Sequence, residues 1–411
     1  MSPRKLRNGE QMVSKWLVAV MAVALVTPLS ACGHDDRQPK PKPAALTETP
    51  SGPVPPAMLT LTPDGGSKNV PISAEIGLHV SGGAVTDVTL KDDEGKAVAG
   101  TLRDDGTAWV PREPLKTTHQ YEATATAENA AGQRTTATTR FSTMGTPARR
   151  TGTGLYLFDD HTYGVAMPVV AEFIPGIQKA DRAAVQKRMF VTTDPPQPGT
   201  WSWTSSGTQA YYRAPTYWKP GTTLTVRLAV GGLPTGGGRY GSRDRSATAK
   251  IGRSFVMSVE NKTKKMTVVE NGRTLRTMPV SLGKRSTPSS SGAMVIMDKR
   301  TSTIFDTTDT DGEEGYRITI AYAQRLTWSG QYIHSAPWSV GAQGHRNVSH
   351  GCVNLSPSNA RWLFGKTLIG DPITVRGTSD KLVYGNGWTP WNVSWTEFKK
   401  GSALPVPEGL S

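Results

Sequence analysis

A single cysteine and a group of histidines carry the strongest chemical signal in this sequence. Cys352 lies in the run Ser-His-Gly-Cys-Val-Asn over residues 349–354, and His334, His345 and His350 precede it closely. A thiol is a strong nucleophile only as the thiolate, and a neighbouring imidazole is the usual means of forming one near neutral pH. An isolated cysteine is otherwise most often a buried, inert side chain. The clustered histidines instead predict a cysteine nucleophile with a histidine base.

A metal site would be another use of these residues. Zinc sites prefer close pairs such as Cys-x-x-Cys or His-x-x-x-His. The spacing of His334, His345, His350 and Cys352 lacks such pairs. We therefore expect neither a metal nor another cofactor.

The N-terminal residues indicate export. Basic residues between Arg4 and Lys15 precede a short apolar segment at 16–28, which is typical of a secretory signal peptide. Leu-Ser-Ala-Cys at 29–32 matches a bacterial lipobox, in which the cysteine is lipidated and the signal is cut just before it. This predicts a signal peptide over 1–31 and a lipid anchor on Cys32, with an ordinary signal peptide or a membrane anchor as the alternatives. It also leaves Cys352 without a disulfide partner.

Charge and composition agree with a protein that works in the cell wall. The net charge is +14, and removing residues 1–31 leaves about +11. Export argues against nucleic acid as the partner, so anionic wall polymers and lipid headgroups are the expected counter-ions. A solvated basic surface with no specific partner is the alternative. Residues 32–56 are rich in proline and predict a semi-rigid linker between the anchor and the folded part.

Two β-rich units follow the linker. Residues 57–145 and 146–253 each read as short strands separated by turns, which predicts two immunoglobulin-like sandwiches. The second has one expected helix at 180–187. Its aromatic residues predict a packed core, with a sugar-stacking surface as the alternative; they are Trp201, Trp203, Tyr211, Tyr212, Tyr217 and Trp218.

Residues 254–377 form the unit that must position the cysteine and the histidines. Asn271-Gly272 between two apolar runs predicts a hairpin, and a strand is expected to end at His334. Ser356-Pro357 has the form of a helix start and predicts a helix over 358–366. The tail, 378–411, contains Trp388, Trp391 and Trp395, which we expect to pack on this unit. The predicted fold class is mainly β throughout.

The spacing of the histidine and cysteine motifs resembles a known family. His-Ser-Ala-Pro-Trp-Ser-Val-Gly at 334–341, followed 18 residues after His334 by Cys352 in Ser-His-Gly-Cys-Val-Asn, resembles the YkuD-type L,D-transpeptidase catalytic domain. Thr287-Pro288 and Gly292 look like the family's substrate-loop motif, with serines inserted at 289–291. The order of lipobox, two immunoglobulin-like units, catalytic domain and tryptophan-rich tail is similar to the actinobacterial branch of that family.

The resemblance implies a mechanism and a set of site residues. Cys352 is the implied nucleophile and His334 the general base and acid. The backbone carbonyl of Ser335 orients the imidazole, and backbone N–H groups around Gly351 and Cys352 stabilise the oxyanion. The implied substrate-binding residues are Tyr316, Trp338, His350 and Asn354. Of these, Trp338 has a core role as its alternative, and we expect His350 and Asn354 to hold the loop by hydrogen bonds. The acidic loop 306–314 is a candidate lid.

The implied substrates are peptidoglycan stem peptides. A tetrapeptide donor would lose D-Ala and form a thioester on Cys352, and an amine of a second stem would then complete a 3→3 cross-link. Carbapenem-type β-lactams are expected to acylate the same thiol. An L,D-carboxypeptidase with the same catalytic residues and a non-enzymatic wall-binding lipoprotein are the alternatives.

Overall fold

The computed structural model describes residues 54–103, 105–306, 308 and 317–410. The predicted signal peptide, the lipidated Cys32 and most of the proline-rich linker lie outside this range. Tyr316 and most of the acidic loop at 306–314 lie outside it as well. Within the described ranges, no helix is long and apolar enough to cross a membrane.

The first sandwich, within the described residues, packs a four-stranded sheet against a three-stranded one. The four-stranded sheet has the order β1-β2-β5-β4 and the other has the order β3-β6-β7. Every second residue of β6 is buried, which is the alternation expected of a strand with one face in the core. The strands are β1 (Met58–Thr62), β2 (Ile76–Ser81), β3 (Ala84–Asp92), β4 (Gly100–Leu102), β5 (Ala108–Pro111), β6 (Gln120–Glu128) and β7 (Arg134–Ser142).

The second sandwich has sheets of the order β12-β13-β10-β8-β16-β15 and β11-β14-β17-β9. Its predicted helix is present as α1 (Arg182–Gln186). Trp201, Trp203, Tyr211, Tyr212 and Trp218 are all buried, so the core interpretation of the aromatic run is confirmed for these five residues and the sugar-stacking surface is wrong for them. The strands are β8 (Arg150–Leu155), β9 (Thr162–Tyr163), β10 (Val169–Ile174), β11 (Met189–Asp194), β12 (Thr200–Trp203), β13 (Gln209–Arg213), β14 (Thr223–Leu228), β15 (Pro234–Gly236), β16 (Arg239–Gly241) and β17 (Arg245–Ile251).

The third unit contains the motif residues and has two sheets. Their orders are β20-β19-β18-β26-β21-β27 and β22-β23-β24-β25. The strands are β18 (Phe255–Glu260), β19 (Lys265–Glu270), β20 (Arg273–Pro279), β21 (Ser290–Val295), β22 (Asp298–Asp306), β23 (Arg317–Arg325), β24 (Tyr332–Ser335), β25 (Val353–Leu355), β26 (Pro372–Arg376) and β27 (Asp380–Lys381). A 3-10 helix, Pro337–Ala342, and α2 (Pro357–Lys366) complete the unit before the tail.

Local signals in the sequence predicted two elements of this unit well. The hairpin of β19 and β20 turns at Asn271 and Gly272, whose φ angles of 48° and 81° are those that a tight turn matching the strand twist requires. Ser356 is the N-cap of α2, and its side chain accepts a hydrogen bond from the Asn359 N–H.

The tail differs from the prediction, because its tryptophans pack largely on the second sandwich. The Trp391 Nε1 donates to the Ala166 carbonyl at 2.7 Å, and its ring lies 4.7 Å from that of Tyr217. Trp388 is buried in the core of the second sandwich, and Val295 of β21 belongs to the same core. The second sandwich therefore provides most of the apolar surface against which the tail tryptophans pack.

The tail also contacts the catalytic unit, through Leu382, which is buried in the core of that unit, and through backbone and polar groups. β27 pairs with β21, and the Asn392 Oδ1 accepts a hydrogen bond from the Ala293 N–H at 3.1 Å. The remaining tail elements are a 3-10 helix at Pro390–Asn392 and α3 (Trp395–Lys399). The tail consequently bridges the second sandwich and the catalytic unit.

Candidate active site

Two adjacent parallel strands bring the predicted nucleophile and base to one place. β24 and β25 pair so that His334 lies opposite Asn354, and Cys352 immediately precedes β25. Side chains two residues apart on an extended chain point to the same face. Cys352 and Asn354 therefore share the face that carries His334.

The loop that contains Cys352 is held by a neighbouring segment of chain at residues 281–284. The Ser349 N–H donates to the Leu282 carbonyl at 3.0 Å, and the Lys284 N–H donates to the Ser349 carbonyl at 2.7 Å. At the other end of the loop, the Asn354 N–H donates to the Ser281 carbonyl at 2.9 Å. These bonds fix the loop on both sides of the cysteine.

The backbone interaction of His334 decides which ring nitrogen is basic. The His334 Nδ1 lies 2.8 Å from the Ser335 carbonyl oxygen, which can only accept a hydrogen bond. Nδ1 therefore carries the proton, and Nε2 is the acceptor in the neutral ring. This is the contact that the family resemblance implied. Burial lowers the pKa of His334, and the bond to Ser335 opposes that shift only in part, so the ring is neutral at pH 7.

Cys352 rests as a protonated thiol. It is 6% exposed, and its Sγ donates to the Gly330 carbonyl at 3.8 Å. Burial raises the pKa of the Cys352 thiol to about 12, and a hydrogen bond from the Tyr332 backbone lowers it by less. The resting pair is therefore a neutral thiol and a neutral imidazole. A nucleophilic thiolate would form here only if a base removed the thiol proton.

A cavity of about 290 Å³ opens beside this pair. It contains five of the predicted site residues: His334, Trp338, His350, Cys352 and Asn354. Sequence reasoning missed its other lining residues, which are Phe305, Ile318, Ile320, Val348 and Ser349. Ile318 and Ile320 are two residues apart on β23, and this spacing indicates that one face of the strand is apolar. The sequence contains no signal that this face lines the site.

Trp338 and His350 lie at the open side of the cavity. Trp338 is 56% exposed, and its ring centroid is 6.0 Å from that of His334, so it walls the pocket and has no core role. His350 is exposed, and so is His345, which does not line the cavity. Tyr316 belongs to the residues that the structure does not describe.

Asn354 and Gly351 have specific polar roles next to the nucleophile. The Asn354 Nδ2 donates to the Ser339 Oγ at 3.2 Å, whereas its buried Oδ1 has no hydrogen-bond partner among the described residues. The Gly351 N–H, a predicted oxyanion donor, donates at 3.2 Å to the Ser349 Oγ. The φ of Gly351 is +122°, a backbone conformation that favours glycine.

Comparison with known proteins places this site in a family. The bacterial Ig domain family matches residues 67–234, and the L,D-transpeptidase catalytic domain family (YkuD) matches residues 254–375. L,D-transpeptidase 2 of Mycobacterium tuberculosis (strain CDC 1551 / Oshkosh) is 34% identical over 394 residues, which cover 94% of this chain and 95% of that protein. The chain belongs to the L,D-transpeptidase family.

Two further comparisons cover less of the chain. L,D-transpeptidase 5 of Mycobacterium tuberculosis (strain ATCC 25618 / H37Rv) is 34% identical over 364 residues, covering 86% of this chain and 79% of that protein. A solved structure of the L,D-transpeptidase LdtMt1 in complex with imipenem is 35% identical, with a TM-score of 0.47, and covers 55% of this chain and 99% of that one.

Proposed function

We propose that this protein is a peptidoglycan transpeptidase that forms 3→3 cross-links through a cysteine thioester. The observation that carries the proposal is the Nδ1-protonated tautomer of His334, which leaves a basic Nε2 on the face of the sheet that also presents Cys352. This arrangement is suited to acyl transfer, because one group can take the thiol proton and later return it.

The acylation step begins when the His334 Nε2 takes the Cys352 thiol proton. The thiolate attacks the carbonyl between the L-centre of the third stem residue and D-Ala. The resulting oxyanion is stabilised by backbone N–H groups of the nucleophile loop. His334 then gives its proton to the amine of D-Ala, the amide bond breaks, and a thioester on Cys352 remains.

The second half of the reaction resolves the thioester. A side-chain amine of another stem attacks the thioester carbonyl, His334 takes the amine proton, and the Cys352 thiolate leaves and is reprotonated. The unpaired Asn354 Oδ1 supports a role in holding the stem, since a buried carbonyl oxygen without a donor favours an N–H from a ligand. The half-exposed ring of Trp338 would form one wall for the bound chain.

Mass spectrometry of the purified protein incubated with a disaccharide-tetrapeptide tests the proposal. We expect a dimer that is lighter by one D-Ala and that is absent with Cys352→Ala. Tripeptide without a dimer would favour the L,D-carboxypeptidase, in which water accepts the acyl group. A protein that binds glycan but has no reactive thiol would favour the wall-binding lipoprotein. The burial of most of the aromatic run already removes one surface on which that alternative depended.

Acylation by a carbapenem is part of the same proposal. A strained lactam carbonyl can accept the Cys352 thiolate as the stem amide does, and the ring then opens with no leaving group. We expect the intact mass of the protein to rise by the mass of one carbapenem, and we expect no increase with Cys352→Ala. An unchanged mass after prolonged incubation would contradict this part of the proposal.

Export and lipidation at Cys32 are proposed on the lipobox at 29–32 and the basic and apolar residues before it. The protein would then be anchored to the outer face of the cell membrane and act in the cell wall. Labelled palmitate supplied to growing cells should enter the wild-type chain and be absent from Cys32→Ala. Equal labelling of both chains would exclude Cys32 as the lipidated residue.

A further inference from the structure

Ser289 contacts the nucleophile loop from a distant part of the chain. It is 1% exposed, and its Oγ donates to the Gly351 carbonyl at 2.7 Å while accepting a hydrogen bond from the Gly283 N–H at 2.9 Å. The hydroxyl has one proton, and the second acceptor in range, the Cys352 carbonyl, is farther away at 3.4 Å. Gly351 is therefore the partner that uses the hydroxyl proton.

The peptide unit that Ser289 holds contains the N–H of the nucleophile. The Gly351 carbonyl and the Cys352 N–H belong to one planar peptide group, in which the C=O and the N–H point in opposite directions. A residue that fixes the carbonyl therefore fixes the direction of the N–H. Ser289 holds the carbonyl from one side, so the Cys352 N–H is directed to the other.

This restraint matters because the backbone at this position is otherwise permissive. Gly351 has φ = +122° and lacks a Cβ, so the peptide group that follows it can rotate at little energetic cost. The neighbouring Gly351 N–H is already used, since it donates to the Ser349 Oγ. Of the two backbone donors implied for the oxyanion, the Cys352 N–H is thus the one whose direction Ser289 controls.

We propose that Ser289 is a positioning residue for acyl transfer. It holds the Gly351–Cys352 peptide group so that the Cys352 N–H is directed at the oxyanion of the tetrahedral intermediate. The inference rests on the proposed function, because it assumes that Cys352 attacks a carbonyl. It also assigns a role to Ser289, one of the three serines inserted into the substrate-loop motif at 287–292.

Two reactions of the same thiol separate this role from a merely structural one. Acylation by a carbapenem passes through an oxyanion, whereas alkylation by iodoacetamide is a displacement at carbon that forms none. Losing one oxyanion donor typically slows acyl transfer by about 100- to 1000-fold. In Ser289→Ala the donor is misdirected and not removed, so we expect carbapenem acylation to slow by roughly 10- to 100-fold, while iodoacetamide alkylation of Cys352 stays within about twofold of the wild-type rate.

Matched variants supply the controls. Ser289→Thr keeps the hydroxyl and should restore most of the acylation rate. Thr143→Val removes a buried hydroxyl that likewise donates to a carbonyl, that of Lys116, and accepts from an N–H, that of His119, but in the first sandwich, so both rates should be unchanged. If Ser289→Ala does not fold, Ser289→Val and Ser289→Thr have the same shape and differ in the hydroxyl, and their acylation rates make the same comparison.

Three outcomes would overturn the inference. Equal slowing of acylation and alkylation would mean that Ser289 only keeps the loop folded. An unchanged acylation rate in Ser289→Ala would mean that the peptide group needs no such restraint. A wild-type protein that iodoacetamide alkylates but that neither a carbapenem nor a stem peptide acylates would remove the proposed function, and this inference with it.

Discussion

At the scale of single residues, burial keeps both Cys352 and His334 in their neutral forms. Burial disfavours the charged form of both Cys352 and His334, so it raises the pKa of the thiol and lowers that of the imidazole. A preformed thiolate–imidazolium pair would require the opposite shifts. In the proposed reaction, the thiol therefore becomes a thiolate only when His334 takes its proton.

The pH dependence of the thiol distinguishes the two resting states. With the pKa of Cys352 near 12, the thiolate fraction rises about tenfold per pH unit through the neutral and mildly basic range. Alkylation by iodoacetamide should therefore keep increasing from pH 7 to pH 10, as followed by intact mass against time. A thiolate–imidazolium pair would instead give a rate that is already level at pH 7.

The decrease of the acylation rate at low pH depends on the protonation of His334 instead. Because burial lowers the pKa of His334 below its ordinary value of 6.5, the basic form is already present at pH 7 and is lost only at lower pH. Carbapenem acylation should consequently fall as the pH is lowered below about 6.5, with a midpoint under that value. A midpoint above pH 7 would show that the histidine is stabilised in its charged form.

Removing the base tests its role directly. His334→Gln takes away the proton acceptor and retains a polar side chain of similar length, so acylation should slow by roughly 100- to 10,000-fold, the range for general base catalysis. Measured at increasing pH, the variant should recover part of this loss as solvent forms the thiolate. His345→Gln is the control, because His345 is exposed and does not line the cavity, and its rate should match the wild type.

At the scale of secondary structure elements, the site depends on β24 and β25 and on the helix that follows them. α2 begins directly after β25, and Ala360 and Leu363 of this helix are buried in the same core as Ile333 of β24. The helix therefore supports the strand that carries His334. Its N-cap, Ser356, is bonded to the Asn359 N–H.

Removing the N-cap should loosen this support without touching the reacting groups. Ser356→Ala leaves the Asn359 N–H without its partner and is expected to cost about 1 kcal/mol of unfolding free energy. Urea denaturation measures that loss, and carbapenem acylation in the folded protein should remain within about twofold of wild type. Ser358→Ala, in the exposed first turn, is the control and should change stability by less than about 0.5 kcal/mol.

The sequence alone could predict some of these elements and contacts but not others. Pattern reasoning could predict three features, because each depends on residues close together in the sequence. They are the hairpin at Asn271-Gly272, the cap at Ser356 and the spacing of His334 and Cys352. The bond from Ser289 to Gly351 joins residues 62 positions apart. The apolar side of the cavity likewise depends on how β22 pairs with β23 and β23 with β24. No local signal encodes such contacts, so the sequence did not reveal them.

At the scale of the whole folded part, the tail is the element that joins the second sandwich to the catalytic unit. Arg213 of β13 is 2% exposed, and its guanidinium carbon lies 4.7, 5.1 and 4.4 Å from the ring centres of Trp391, Trp395 and Phe398. Its hydrogen bonds go to backbone carbonyls, including that of Val393 at 3.1 Å. Burial lowers the pKa of Arg213 to about 10, so it is still charged at pH 7. The tail thus closes around a buried cation of the sandwich.

Replacing this cation should release the tail. Arg213→Met keeps much of the side-chain volume but loses the cation–π contacts and the bond to Val393, and desolvated cation–π contacts are each worth on the order of 2 kcal/mol. We expect the unfolding free energy to fall by at least about 2 kcal/mol and proteolysis to begin within the tail. Arg140→Met, at an exposed surface ion pair with Glu122, should have almost no effect on either measurement.

Because β27 and Asn392 of the same tail contact β21, and β21 begins beside Ser289, a released tail should also slow carbapenem acylation. Unchanged acylation in a protein whose tail is cleaved would mean that the catalytic unit holds its site without the bridge.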